Sequence, residues 1–234
     1  MSFEYTPSLK DPRTKKTYYF HITPVRRIMT ANVAGIFRLI SILNVAGVEH
    51  LPANGPVILA ANHLSNFDAF PMQFALPRPI FFMGKAELFR NPLLDWFLRH
   101  LGGFPVNRGE ADEWAFQHAR RVLERRQVLG IFPEGKRSKG KGLHRGKTGM
   151  ARLALAAGCS ILPMAVHGPQ YMLRRFPRRT PIHIKLGAPV LPLPGESPAA
   201  LTDRVMYALS ALLPPESRGV YRQASFEYKA LSEG

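Results

Sequence analysis

The chain has 234 residues, of which 46% are hydrophobic, and this composition excludes a disordered protein and allows one well-buried domain. Lysine and arginine total 32 against 16 acidic residues, so the formal net charge is +16 and anionic partners are expected. The single cysteine, Cys159, excludes a disulfide scaffold and any zinc site built from cysteines. It also favours a reducing, cytosolic environment.

The first predicted element is an amphipathic helix in the apolar segment from Ile28 to Val45. At about 100° per residue, the apolar side chains gather on one half of the helix and polar residues such as Arg38 lie opposite. A membrane-spanning helix is disfavoured, because an arginine near the centre costs about 2.5 to 3.5 kcal/mol on insertion scales. The pattern favours a helix that lies in the membrane interface, with Arg26 and Arg27 at anionic headgroups. The alternative is a helix packed on the protein's own core.

Four apolar runs have the length of buried strands, and segments with helical periodicity separate them. These runs are Val57 to Ala61, Gly103 to Val106, Val128 to Phe132 and Ile161 to Val166. The clearest helical segment, Glu110 to Arg126, begins with acidic and ends with basic residues, as the helix dipole favours. The alternation predicts an α/β fold with a mostly parallel central sheet flanked by helices. We assign this fold to residues 47–234 and treat residues 1–46 as an N-terminal segment that carries the membrane-docking helix.

Polar residues follow each predicted strand at its carboxyl end. They are Asn62 and His63 after the first strand, Arg108 after the second, Glu134 to Ser138 after the third and His167 after the fourth. Because parallel strands end at one edge of the sheet, where ligands bind in open α/β folds, these side chains are expected to converge. The expected convergence is stronger evidence for a site than any single motif.

His63 and Asp68 are five residues apart, which is about 140° on a continuous helix and excludes a helical pair. If a strand ends at His63 and a helix begins after Asn66, the Asp68 carboxylate can reach back to the imidazole. It would orient the ring and stabilise its protonated form, leaving the other ring nitrogen to take a proton. The alternative role is structural, because Ser65-x-x-Asp68 is also a helix capping pattern.

The segment from Phe132 to Ser138 combines a carboxylate, a glycine and two cations directly after a strand. Its backbone N–H groups and the guanidinium of Arg137 could together hold a phosphate, to which Arg108 could add a second guanidinium. The alternative for Lys136 and Arg137 is a solvated basic loop. The arginine-rich stretch from Arg174 to Arg179 faces either solvent or an acidic surface, such as lipid headgroups, another phosphate group or an acidic protein.

Four segments of the chain, in this order, resemble the motifs of the glycerolipid acyltransferase family. They are NHLSNFD, GGFPVNRG, FPEGKRS and ILPMAV, within a resemblance that runs from about Gly47 to Pro189. The resemblance implies that His63 is the general base on an acceptor hydroxyl and that Asp68 is its partner. It also implies that the second and third motifs bind glycerol phosphate. The predicted substrate-binding residues are Arg108, Glu134, Gly135 and Arg137, to which we add Lys136, Ser138 and Asn62 from the same set of motifs.

The resemblance implies an enzyme that moves a fatty acyl group from an acyl thioester to the sn-2 hydroxyl of 1-acyl-sn-glycerol 3-phosphate, a lysophosphatidic acid. Expected partners are a lysophospholipid acceptor, acyl-CoA or acyl carrier protein as donor, and an anionic membrane surface, with no cofactor, metal or nucleic acid. The expected location is the cytoplasmic face of the membrane, as a peripheral or monotopic protein. Two alternatives stay open: glycerol 3-phosphate or another lysophospholipid as acceptor, and a non-catalytic basic module that binds membranes or nucleic acid.

Overall fold

The computed structural model describes residues 11–109 and 111–222, in which strands and helices alternate along the chain. The strands are β1 (Ser41–Ala46), β2 (Val57–Ala61), β3 (Ile80–Lys85), β4 (Gly103–Val106), β5 (Val128–Ile131), β6 (Ser160–His167) and β7 (Thr180–Leu186). The α-helices are α1 (Pro24–Ile40), α2 (Ala69–Ala75), α3 (Pro92–His100), α4 (Glu113–Glu124), α5 (Gly149–Ala157), α6 (Met172–Arg175) and α7 (Pro198–Ala211).

The strands of the described residues form one sheet in the order β1-β7-β6-β2-β5-β3-β4. The five strands from β6 to β4 in this order are parallel, whereas β7 is antiparallel to β6 and β1 is parallel to β7. The predicted mostly parallel central sheet flanked by helices is therefore confirmed. All four predicted strands are also confirmed, and β1, β3 and β7 are additions to them.

Helices cover both faces of the sheet, which explains why β2 is apolar throughout instead of alternating. All of Val57–Ala61 is buried. On one face the sheet packs against α4, α5 and α7, whose buried side chains include Leu153 and Val205. On the other face it packs against α1 and α2, which contribute Phe37 and Met72.

The predicted N-terminal helix is present as α1, but it has different bounds because the helix ends at Ile40 and the chain then enters β1. The Thr23 hydroxyl caps the first turn by accepting a hydrogen bond from the Arg26 amide. The end of the predicted range 28–45 pairs with β7 instead, so part of the predicted N-terminal segment 1–46 lies in the sheet. None of the described helices is long and apolar enough to cross a bilayer.

Arg26 does not face headgroups, contrary to the prediction. Its side chain is buried, and its guanidinium donates a hydrogen bond of 2.8 Å to the main-chain oxygen of Ile80 and lies 4.5 Å from the ring centroid of Phe81. Burial lowers the pKa of the Arg26 guanidinium to about 10. The residue therefore fastens the amino end of α1 to β3, while its neighbour Arg27 is exposed.

Helix α4 is shorter than the predicted Glu110–Arg126 and covers Glu113–Glu124, while Glu110 lies outside the described residues. It begins there because the Asp112 side chain accepts a main-chain hydrogen bond in the first turn. It ends before Arg126, whose φ of 59° is left-handed and cannot continue the helix.

Candidate active site

The candidate site lies at the sheet edge where the five parallel strands end. Asn62 directly follows β2, and its buried amide exchanges two hydrogen bonds of 2.7 and 2.9 Å with the main chain of Val166 in β6. The amide is thus committed to holding the ends of β2 and β6 together, which corrects the predicted contact of Asn62 with substrate. This packing fixes the position of the next residue, His63.

His63 and Asp68 form a buried pair at this edge, in the geometry expected from the sequence. Nδ1 of His63 lies 2.8 Å from Oδ2 of Asp68. Residues 64–68 turn the chain before α2 begins at Ala69, and this turn returns the carboxylate to the ring. Asp68 is fully buried, whereas 11% of the His63 side chain remains exposed. Because the carboxylate engages Nδ1, Nε2 is the ring nitrogen left to exchange a proton with a ligand.

The Asp68 carboxylate also organises the turn that contains it. The same Oδ2 accepts hydrogen bonds from the main-chain N–H groups of Leu64 at 2.7 Å and Ser65 at 2.8 Å. Asp68 therefore holds the turn before α2 in addition to pairing with His63, but its side chain makes no capping hydrogen bond to α2. Hydrogen bonds to a charged carboxylate are stronger than those to a neutral acceptor. The two main-chain N–H groups therefore hold the Asp68 carboxylate in place, and the carboxylate holds the imidazole of His63.

The second support of the imidazole is the ring of Phe132, which follows β5. The two rings stack with their centroids 4.2 Å apart and an interplanar angle of 17°. The imidazole is thus held between a carboxylate at its edge and an aromatic face. The sequence analysis assigned no role to Phe132, although it is the first residue of the third motif.

Glu134 is buried, and both of its carboxylate oxygens accept main-chain hydrogen bonds. Oε1 accepts from the N–H of His63 and Oε2 from the N–H of His144, each at 2.9 Å. Burial raises the pKa of the Glu134 carboxyl, and these two hydrogen bonds oppose that shift. The side chain therefore positions the backbone of His63, and this corrects the predicted direct contact between Glu134 and a substrate.

The other residues of the third motif present polar groups at the same edge. The main-chain N–H of Ser138 donates to the carbonyl oxygen of His63 at 2.8 Å. The Ser138 hydroxyl is buried and has no hydrogen-bond partner among the described residues. Lys136 and Arg137 are exposed. These are the groups of the motif that remain available to a ligand.

Arg108 lines a cavity of about 270 Å³ beside the third motif. Burial lowers the pKa of its guanidinium, the nearby charge of Glu87 raises it and that of Arg137 lowers it. Arg108 and Arg137 are exposed cations in the segments that follow β4 and β5. Two guanidinium groups in this position favour binding of an anion between them, and a phosphate is the ligand that best fits such planar donors.

A third cation, Lys147, also lines this cavity. Its main-chain N–H donates to the oxygen of Pro133 at 2.9 Å. Gly135 has a φ of +67°, and a Cβ there would lie 3.0 Å from Cε of Lys147. The positive φ therefore favours glycine at this position. Lys147 lies outside the four motifs, and its position in the site depends on the packing of α5 beside the third motif.

The fold and the site together define an α/β protein with a buried histidine–aspartate pair next to a cavity whose lining includes the cations Arg108 and Lys147. The sequence profile of the Acyltransferase family matches residues 42–167, which are 126 of the 234 residues, and the chain belongs to this family. The predicted site residues all lie within the matched range. The family predicted from the four motifs is thus confirmed.

Individual relatives show how far the similarity extends. The chain is 32% identical over 123 residues to the 1-acyl-sn-glycerol-3-phosphate acyltransferase of Bacillus subtilis, covering 52% of this chain and 60% of that protein. It is 34% identical over 115 residues to the Escherichia coli protein of the same name, covering 48% of this chain and 47% of that protein. The chain spans about half the length of the curated relatives it matches.

A solved structure has the same overall fold. The chain is similar to the crystal structure of the 1-acyl-sn-glycerophosphate acyltransferase PlsC from Thermotoga maritima, with a TM-score of 0.65 and 25% sequence identity. The similarity covers 80% of this chain and 78% of that one.

Proposed function

We propose that this chain transfers a fatty acyl group from an acyl thioester to the sn-2 hydroxyl of 1-acyl-sn-glycerol 3-phosphate, forming phosphatidic acid. The observation that carries the proposal is the His63–Asp68 pair beside the cavity lined by Arg108. This arrangement combines a base for a hydroxyl with a cation for a phosphate. The names of the relatives from Bacillus subtilis and Escherichia coli support the same acceptor.

The proposed reaction is a direct attack by the acceptor hydroxyl. Nε2 of His63 takes the hydroxyl proton while the oxygen forms a bond to the thioester carbonyl carbon, whose oxygen becomes an oxyanion. When this intermediate collapses, the C–S bond breaks and the imidazolium gives its proton to the leaving thiolate. Asp68 stabilises the imidazolium between these two transfers. The products are phosphatidic acid and a free thiol.

Cys159 is unsuited to a covalent acyl-enzyme route. Its side chain is only 3% exposed, and burial raises the pKa of the thiol to about 11. The thiolate, which is the nucleophilic form, is therefore scarce near neutral pH. This supports direct transfer without a cysteine-bound intermediate.

Three cations, Arg108, Arg137 and Lys147, are proposed to bind the acceptor phosphate. Holding the phosphate at the cavity mouth would place the glycerol hydroxyl near His63, and such orientation lowers the barrier of a reaction between two substrates. The inner wall of the cavity is apolar, with side chains such as Met150 and Leu153. It is suited to part of an acyl chain.

The lipid substrate also requires contact with a membrane, for which α1 is the proposed element. Ile28, Ile36 and Leu39 of this helix are exposed apolar residues, and Arg27 and Arg38 are exposed cations beside them. This combination suits a helix that lies in an anionic interface. We propose a peripheral or monotopic location at the cytoplasmic face, with acyl-CoA or acyl carrier protein as donor and no further cofactor.

A thioester-release assay with lysophosphatidic acid, combined with chromatographic detection of phosphatidic acid, tests the proposal. The wild-type chain is expected to release thiol and form product, and His63→Ala is expected to abolish both while its circular dichroism spectrum stays unchanged. His183→Ala, which removes an exposed histidine on β7, is the matched control and should keep wild-type activity. A folded His63→Ala enzyme with near-normal turnover would contradict the base assignment.

An acceptor panel with one labelled donor then tests the substrate. Lysophosphatidic acid is expected to be used faster than glycerol 3-phosphate or lysophosphatidylcholine. A higher kcat/KM with either of the other acceptors would overturn the proposed acceptor while leaving the acyl-transfer chemistry in place.

A further inference from the structure

The connection between β6 and β7 exposes two large apolar side chains to solvent. Leu173, on the short helix α6, is 77% exposed, and Phe176, directly after that helix, is 69% exposed. Met172 is buried and anchors the segment to the body of the protein. We call residues 173–178 the arginine loop. Exposed apolar side chains this close together mark a contact surface more often than a structural element.

Arginines surround these two side chains. Arg174, Arg175 and Arg178 are exposed, and within the described ranges none of them forms a salt bridge. The sequence contains no aspartate or glutamate between Glu134 and Glu196. The positive charge of the arginine loop is therefore not balanced by nearby acidic residues of the chain, and an anionic partner would be attracted to it.

The arginine loop lies at the same sheet edge as the candidate active site. It follows β6, and Val166 near the end of that strand is hydrogen-bonded to Asn62, the residue before His63. The loop lies between β6 and β7, which pair with each other. A partner bound to the loop would lie on the side from which a substrate reaches His63.

Arg179 connects the loop to helix α1. Its guanidinium donates to the main-chain oxygen of Arg38 at 2.9 Å and to that of Ser41 at 2.8 Å. Arg179 therefore stabilises the carboxyl end of α1, which corrects the interpretation of this residue as part of a surface that faces an acidic partner. The exposed Ile36 and Leu39 lie in the last turns of that helix.

We propose that the arginine loop is a second membrane-insertion element, in which Leu173 and Phe176 enter the acyl-chain region of an anionic bilayer. The arginines Arg174, Arg175 and Arg178 would lie at the lipid phosphates, where long basic side chains reach the interface and add electrostatic affinity. An acidic protein would suit the arginines but would leave the exposed leucine and phenylalanine without an explanation. A bilayer accounts for both, and the neighbouring apolar face of α1 extends the same surface.

Vesicle cosedimentation with the full chain tests the apolar part of this proposal. Leu173→Ser combined with Phe176→Ser is expected to weaken binding to phosphatidylcholine–phosphatidylglycerol vesicles by about tenfold or more. The matched control is Leu191→Ser combined with Leu193→Ser, which removes side chains that are 62% and 53% exposed. These control positions follow Val190, which pairs with Ile161 near the opposite end of β6. Equal affinity of the two double variants would overturn the proposal.

The arginines are tested by charge reversal. Arg174→Glu combined with Arg175→Glu should reduce binding to the anionic vesicles and leave the weaker binding to pure phosphatidylcholine vesicles nearly unchanged. Arg121→Glu, on the exposed side of α4, changes charge on the opposite face of the protein and serves as the control. A loss of the same size in the control would show that net charge, and not the arginine loop, attracts the membrane.

A fluorescent label gives a direct readout of insertion that does not depend on catalysis. Phe176→Cys can be labelled with an environment-sensitive dye, because Cys159 is buried and the unsubstituted chain reports any residual labelling. Anionic vesicles are expected to shift the emission to shorter wavelengths and to protect the dye from aqueous iodide. A dye at Leu39→Cys reports separately on α1.

The proposed insertion of the arginine loop rests on the proposed membrane contact of α1, which sets the orientation of the protein on the bilayer. The two labels distinguish failure of the one from failure of the other. A response at position 39 with no response at position 176 would overturn the loop insertion and leave the α1 contact intact. A response at position 176 to acidic acyl carrier protein but not to vesicles would assign the loop to a protein partner and also overturn it.

Discussion

Oδ2 of Asp68 lies 2.8 Å from Nδ1 of His63 and at the same time accepts the main-chain hydrogen bonds of Leu64 and Ser65. One buried oxygen thus fixes both the turn and the imidazole. The structural role of Asp68 and its proposed catalytic role are compatible. The main-chain hydrogen bonds that hold the turn also fix the carboxylate oxygen that pairs with Nδ1 of His63. The spacing of five residues is what such a turn requires.

Asp68→Asn is expected to reduce kcat by about 10²- to 10⁴-fold, because a neutral amide neither stabilises the imidazolium nor fixes the ring nitrogen that carries the proton. The acceptor KM should change little, since Asp68 does not face the phosphate cations. Steady-state kinetics with lysophosphatidic acid measure both quantities. Ser65→Ala is the control, because its hydroxyl accepts a single hydrogen bond, from the amide of Phe67 at 3.2 Å. A loss of the same size in the control would point to the turn instead of the charge.

Arg108→Glu and Arg137→Glu are each expected to raise the KM for lysophosphatidic acid by about tenfold or more, because charge-assisted contacts to phosphate are replaced by repulsion. The KM for a phosphate-free acceptor such as monoacylglycerol should change much less. Lys141→Glu, at a nearby exposed position, controls for the general loss of positive charge. The phosphate role would be refuted if only the reaction with monoacylglycerol slowed.

Lys147 provides a separate test of the cavity mouth. Lys147→Met keeps the length of the side chain and removes its charge, so we expect a higher KM for lysophosphatidic acid with little change in kcat. Lys147→Arg should restore much of the affinity, because the position would again carry a cation. Melting temperatures of the variants show whether the fold is intact. A fall in kcat with unchanged KM would place Lys147 outside the phosphate site.

Strands β2, β5 and β6 could be predicted because they are buried on both faces and must therefore be largely apolar. Strands β1 and β7 could not, since each is recognised only from its pairing with the other. Ser41 pairs with Thr180, and the residues from 41 to 46 are a helical continuation of α1 by local pattern alone. Sheet pairing over this sequence distance overrides the local preference.

In the candidate site too, contacts within one short segment could be predicted, whereas contacts between distant segments could not. The contact of His63 with Asp68 is made within a segment of six consecutive residues and could be predicted from their spacing. The roles of Asn62 and Glu134 depend instead on main-chain groups of Val166 and His144, which are distant in sequence and are not indicated by side-chain patterns. The sequence analysis placed Asn62 and Glu134 at the correct edge of the sheet but predicted that they contact a ligand. In the structure, their side chains are hydrogen-bonded to the main chain.

His118 gives a prediction about acid stability. Its imidazole is buried among Tyr18, Phe20, Phe104 and Trp114, and burial lowers its pKa to about 3, helped by the charges of Arg121 and Arg125. In the unfolded chain the ring takes a proton below about pH 6.5, but in the folded chain only near pH 3. The unfolded state therefore binds more protons between these values, and stability is lost as the pH falls, by up to about 1.4 kcal/mol per pH unit.

His118→Phe should make the decline between pH 6 and pH 4 shallower, as urea unfolding at several pH values would show. An equally steep decline in the variant would mean that other groups, such as buried carboxylates, cause the loss.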